Sequence, residues 1–195
     1  MTFILKIILV IAAYLLGSVP FGLIFARLFG GEDPRRVGSG NIGATNIRRT
    51  AGTVAGALTL AADILKGAIP TYLAFRLNPG VIFVSTIGFA AFFGHLFPVF
   101  LRFKGGKGVA TACGVMFAIS PPATLLSLLV FIIAVAVKRY VSLGSMLAAA
   151  SMPVFLSFLT AARGYTPLGV FVAVFIILKH SENIKRLTAG VENKI

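Results

Sequence analysis

The chain has 195 residues, of which 58% are hydrophobic and 12% charged, with a mean hydropathy of +0.99, which argues against a soluble enzyme. Eighteen Lys and Arg against five Asp and Glu give a net charge of +13, the balance of a membrane protein with basic loops at anionic headgroups rather than of a nucleic-acid binder. The one cysteine, Cys113, excludes an intrachain disulfide and a cysteine-based zinc cluster, and reads as a small packing residue.

A spanning helix needs about 20 apolar residues. Charge-free runs supply the candidates in chain order. Ile7 to Ala26 is one span, long for the core of a cleaved signal peptide. Gly52 to Phe75 is a second, interrupted by Asp63 and Lys66, and Val81 to Leu101 is a third, preceded by the turn Asn78-Pro79-Gly80 and carrying His95 and Pro98. Gly108 to Val137 is 30 residues, too long for one straight span, and Pro121-Pro122 divides it into 13 residues before and 15 after. Tyr140 to Ala162 and Gly164 to Leu178 complete the set, the last extended to Lys179 by snorkelling.

Charge decides how the divided stretch is read. If it is a hairpin of two short helices, fourteen basic residues share one side against Lys6, Arg76 and Arg163 on the other; as a single span it leaves nine against eight. The expectation is therefore an all-α integral membrane protein of seven transmembrane helices, residues 1–195 forming one domain. Its amino terminus lies outside, its carboxyl terminus in the cytoplasm, and the fourth and seventh helices are short. Small-residue patches such as Ala148-Ala149-Ala150-Ser151 suit close helix packing.

Three polar constellations fall on the predicted cytoplasmic side. The first loop reads Val37-Gly38-Ser39-Gly40-Asn41-Ile42-Gly43-Ala44-Thr45-Asn46, followed by Arg48 and Arg49. Glycines with short donors allow sharp turns and an anion nest of backbone amides, to which the arginines add charge. In the second, Lys104-Gly105-Gly106-Lys107-Gly108 runs straight into an apolar segment, placing two ammonium groups and bare backbone N–H groups at a helix amino terminus. It does not match G-x-x-x-x-G-K-[ST], so it is not an ATP-binding P-loop. In the third, Lys179 to Leu187, helical continuation aligns His180, Asn183 and Arg186 as a polar stripe, with Glu192 just beyond. Asp63 and Lys66, three apart inside a span, either pair with each other or serve the substrate. His95 reads equally as a packed histidine or a substrate contact, and Ser142, after Lys138 and Arg139, is a further candidate.

The stretches GSGNIGATN, GHLFPVFLRFKGGKGVAT and HSENIKRLTAGVE, in this order over a chain of this length, resemble the three cytoplasmic motifs of the bacterial acyl-phosphate-dependent glycerol-3-phosphate acyltransferases, the PlsY family. The proline usual in the first motif is Ile42 here, which leaves the donors intact. The resemblance implies a seven-helix enzyme of the bacterial inner membrane that needs no metal or coenzyme. It implies acyl transfer from a long-chain acyl phosphate to the 1-position of glycerol 3-phosphate, giving lysophosphatidate, with a soluble acyl-phosphate-producing acyltransferase as functional partner. It implies that Ser39 and Arg49 are the important serine and arginine of the first motif. Lys104 to Gly108 is by the same resemblance the glycerol-phosphate loop, His180 and Asn183 the active polar residues of the third motif, and Glu192 its structural glutamate.

That chemistry suits the residues. Phosphate is a good leaving group, so the demanding step is deprotonation of the attacking hydroxyl, for which His180 and a substrate phosphate with a second pKa of about 6 are both suitable bases. Ser39 is better read as a phosphate or oxyanion ligand than as a covalent nucleophile, for no serine has a recognisable triad context. The competing class is a transporter of a phosphorylated metabolite. It would place its binding groups near midplane, where only Asp63, Lys66 and the proline-divided hairpin speak for it.

Overall fold

The computed structural model describes residues 1–78 and 80–195; Pro79, in the turn expected after the second span, lies outside the described residues. Every regular element among them is helical. Six segments are long and apolar enough to cross a membrane: Phe3–Leu28, Thr53–Leu77, Val81–Leu101, Pro121–Lys138, Val141–Phe158 and Ala161–Lys179; Val109–Ile119 is apolar but shorter. The chain divides into two compact units, Met1–Val115 and Met116–Ile195.

In the first unit, the first span is two helices rather than the single one expected, α1 (Phe3–Ser18) and α2 (Phe21–Leu28). Pro20 has no N–H and pushes Val19 into an extended conformation at φ −61° and ψ 120°, which ends α1. The short α3 (Ala44–Ala51) and the long α4 (Thr53–Leu77) follow, joined at Gly52, then α5 (Val81–Leu96), a 3-10 turn Val99–Leu101, and the start of α6 (Val109–Ile119). Ala26, Ile47 and Ala55, nearly inaccessible, form a small core in which α2, α3 and α4 meet. Because lipid tails are as apolar as leucine, close packing holds helices together in a bilayer. At the contact of α1 with α5, a methyl group on Gly17 would strike the Ala91 carbonyl and one on Gly94 the Tyr14 carbonyl. Tyr14 Oη donates to the Phe97 carbonyl at 2.8 Å, fixing the end of α5.

The second unit holds α7 (Pro121–Lys138), α8 (Val141–Phe158), a 3-10 segment Thr160–Tyr165, α9 (Thr166–Lys179) and α10 (Ser181–Thr188), with α7 packed on α8 and α8 on α9. Pro121-Pro122 does divide the 30-residue stretch, but the prolines lie inside the first turn of α7 rather than between helices. The first helical positions need no N–H partner, so proline is welcome there, and the Ser120 hydroxyl caps the turn by accepting from the Ala123 N–H at 3.4 Å. Helix α8 is shorter than the expected 140–162 run and gives way to the 3-10 segment.

Candidate active site

The first motif, within the first unit, folds around one side chain. Asn46 is 2% exposed. Its Oδ1 accepts the Ser39 N–H at 2.8 Å, and its Nδ2 donates to the carbonyls of Pro34 (2.9 Å), Val37 (3.2 Å) and Asn41 (2.8 Å). Gly38 has φ +62°, and a methyl group there would collide with Asn46 Oδ1. The Gly40 N–H donates to the Val37 carbonyl at 3.1 Å and the Gly43 N–H to Asn41 Oδ1 at 2.9 Å. These bonds correct the expected amide nest: the carboxamide of Asn46 and the N–H groups of Ser39, Gly40 and Gly43 are committed inside the loop. What the loop presents outward is the exposed Ser39, Arg48 and Arg49, with Thr45 half-buried. Before it, Asp33 takes a two-pronged pair from Arg35, at 2.9 Å from Nε and 2.6 Å from the terminal nitrogen. Those hydrogen bonds hold the Asp33 carboxyl well below the usual carboxylate range.

The second motif, in the same unit, is held by crowding. The Gly106 N–H donates to the His95 carbonyl at 3.2 Å. A methyl group on Gly105 would strike the His95 carbonyl and Pro98, and one on Gly106 the His95 ring. The chain enters the loop through Arg102 (φ 51°) and Phe103 (φ 63°), two successive residues in the left-handed region, a strain of about 1–3 kcal/mol each. Lys104 is exposed, Gly106 and Gly108 are buried, and α6 begins at once, with Ala112 N–H on the Gly108 carbonyl at 2.8 Å. Asp63 and Lys66 pair with each other as one of the two readings required, 2.8 Å apart with side chains 3% and 2% exposed. Lys66 Nζ also donates to the Val19 carbonyl at 2.9 Å, so it serves the acceptor released where Pro20 breaks the first span. His95, 4% exposed, is buried beside them.

An apolar cavity of about 570 Å³ in this unit, which the sequence did not announce, is lined by Pro20, Leu23, Ile24, Leu28, Phe100 and Leu101 with Arg27 and Arg35. A second, of about 330 Å³, shares Arg35, Phe100 and Leu101 and adds Arg102 and Lys104. Arg35 carried no motif signal, and Phe100, although inside the second motif, gave no sign that it lines a cavity.

In the second unit, the third motif is organised by Glu192. Its Oε1 accepts from Ser142 Oγ at 2.7 Å and Asn183 Nδ2 at 2.6 Å, and its Oε2 from Arg186 Nε at 2.7 Å. Ser142 is thus a partner of Glu192. Burial raises the Glu192 carboxyl, but the three hydrogen bonds and the Arg186 charge outweigh it and leave the carboxyl below its ordinary range. His180, 3% exposed, holds Nδ1 2.7 Å from the Ile176 carbonyl. A carbonyl only accepts, so the ring proton sits on Nδ1 and Nε2 is the basic nitrogen of the neutral ring.

Comparison with known proteins agrees over nearly the whole chain. The family model for glycerol-3-phosphate acyltransferase matches residues 7–190. The glycerol-3-phosphate acyltransferase of Trichlorobacter lovleyi is 52% identical over 93% of both chains, and that of Geobacter sulfurreducens 48% over 97% of both. The crystal structure of PlsY, an integral membrane glycerol 3-phosphate acyltransferase in its glycerol 3-phosphate form, superposes with a TM-score of 0.93 at 44% identity, covering 97% of this chain and 95% of that one. Its lysophosphatidic acid form gives 0.90 at 43% identity, with the same coverage. Six apolar segments of spanning length among the described residues and this likeness make the protein a multi-pass membrane acyltransferase, and the chain belongs to the glycerol-3-phosphate acyltransferase family.

Proposed function

We propose that the protein transfers an acyl group from an acyl phosphate to the 1-hydroxyl of sn-glycerol 3-phosphate, releasing lysophosphatidate and inorganic phosphate at the cytoplasmic face of the bacterial inner membrane. The observation that carries the donor assignment is a pair of cavities with Arg35, Phe100 and Leu101 in common, one largely apolar and one edged by Arg35, Arg102 and Lys104. A single apolar tail with a small anionic head suits that shape. Burial of the tail contributes up to about 0.8 kcal/mol per methylene. The relatives crystallised with glycerol 3-phosphate and with lysophosphatidic acid support the acceptor and the product. Family membership sets the transport reading aside.

In this reading the Lys104–Gly108 loop, with Lys107 and the amino terminus of α6, takes the glycerol-phosphate anion. Ser39 and Arg49 neutralise charge on a phosphate or on the developing oxyanion, while Gly38, Gly40, Asn41, Gly43 and Asn46 hold that loop in shape and Thr45 supplies a further hydroxyl. The acceptor oxygen bonds to the acyl carbon, the carbon–oxygen bond to phosphate breaks, and the hydroxyl proton passes to a base, for which a substrate phosphate oxygen and His180 Nε2 are the two candidates. Asn183 is the polar partner in that step, kept in place by Glu192. No acyl-enzyme forms, because a phosphate leaving group makes the extra step unnecessary. The topology proposed is seven crossings with the amino terminus outside, α6 being the short fourth one. A soluble enzyme that makes acyl phosphate supplies the donor.

One experiment tests reaction and sidedness together. Inverted and right-side-out membrane vesicles receive acyl phosphate and labelled glycerol 3-phosphate, which does not cross the bilayer. Product is expected from inverted vesicles. Product only from right-side-out vesicles would reverse the topology, and product from acyl-coenzyme A but not from acyl phosphate would overturn the donor.

A further inference from the structure

The buried charges of the first unit form a chain of contacts that ends at the glycine loop. Asp63 and Lys66 project from α4, and Lys66 Nζ is occupied by Asp63 Oδ1 at 2.8 Å and the Val19 carbonyl at 2.9 Å. On the other side, Asp63 Oδ1 lies 3.7 Å from His95 Nδ1. That is beyond hydrogen-bond distance, so the carboxylate acts on the ring through its charge, which favours the ring setting that turns the Nδ1 edge toward Asp63. The Nε2 edge of that ring occupies the space a side chain at Gly106 would need, and the Gly106 N–H donates to the carbonyl of the same histidine at 3.2 Å. His95 therefore seats Gly106 twice, by backbone and by ring.

We propose that Asp63 is a positioning residue for the acceptor phosphate: it holds the His95 ring, and the ring sets the Lys104–Gly108 loop. The proposal rests on the assignment of that loop to glycerol 3-phosphate. Supporting groups of this kind act on binding geometry; a misplacement of about 1 Å can cost about 100-fold, and a smaller shift of the loop is expected to cost about tenfold. A pair that serves the fold alone lowers the active fraction, which reduces kcat per mole of protein and leaves KM unchanged.

The test uses purified full-length protein with acyl phosphate and glycerol 3-phosphate. In D63N/K66M both charges are removed together, so no lone charge stays buried. It is expected to raise KM for glycerol 3-phosphate about tenfold, with kcat and KM for acyl phosphate changed by no more than about twofold. Asp63→Glu, which keeps the charge but displaces the carboxylate by a methylene, shows the same KM-only signature and covers the case in which the double variant does not fold. Adding His95→Ala to D63N/K66M raises KM no further. An unchanged KM in a folded variant, or a full additional effect of His95→Ala, overturns the proposal. Gly106→Ala is measured in parallel. If it raises KM while the Asp63 variants do not, only the positioning role falls; if none of the variants moves KM, the loop assignment falls with it.

Discussion

The two glycine-rich loops of the first unit are built by opposite means. Residues 37–46 wrap around a side chain, the Asn46 carboxamide, which spends its oxygen and its amide protons on four backbone groups. Residues 104–108 are set instead by close approach, their glycine backbone pressed against the end of α5. A loop organised from within presents only what its hub leaves over, here Ser39 and two arginines. A loop organised by crowding is set by its glycines, and Lys104 is exposed beside the cationic cavity. The first should fail when one polar atom is changed, the second when one methyl group is added.

The largest effect is expected at Asn46. Asn46→Asp keeps the acceptor for the Ser39 N–H but sets a carboxylate oxygen against three carbonyls, and activity should fall about 100-fold or more as Ser39 leaves its place. Acyl-transfer rates, read beside thermal stability of the purified variant, check this; near-native activity would show that Asn46 is not the hub. Next is Gly105→Ala. The added methyl meets the carbonyls of His95 and Leu96, which cannot swing aside as a flexible side chain would. A loss of about 2 kcal/mol in stability is expected, the range of overpacking in a close-packed interior. Denaturant or thermal unfolding in detergent measures it, and a folded Gly105→Ala protein of native stability would mean the loop is not set by crowding.

The smallest effect concerns the charged hub of the second unit. Glu192 has its pKa lowered in the fold, so its contribution to stability is present above the ordinary carboxylate range and is lost as the pH falls through the lowered value. The melting temperature should therefore drop more steeply on acidification for the native protein than for Glu192→Gln. Asn46, which does not titrate, contributes nothing to that slope. Equal slopes in the two proteins would remove Glu192 as the titrating hub.

The apolar runs and the proline pair were legible because length and charge are one-dimensional properties, and each of the six spanning-length segments among the described residues falls on an expected run. The break at Val19-Pro20 was missed because a charge-free run looks continuous, although Pro20 stood in it; Lys66, 47 residues away, supplies the compensating bond. The motifs gave the polar residues but not their direction. In sequence a donor that binds a ligand and one that binds its own loop look alike, which is why Asn46 read as a phosphate ligand. The link of Ser142 to Glu192, 50 residues apart, has no local signature at all. The two cavities arise from helix ends and loops that fold together, so composition could not reveal them.

Direct transfer without an acyl-enzyme is the claim on which the functional account turns. Initial rates measured over a grid of acyl phosphate and glycerol 3-phosphate, with intact-protein mass recorded after exposure to acyl phosphate alone, test it most directly. The account predicts intersecting double-reciprocal lines and a protein mass unchanged by the donor. Parallel lines, with an acyl ester trapped in stoichiometric amount on Ser39, would contradict it.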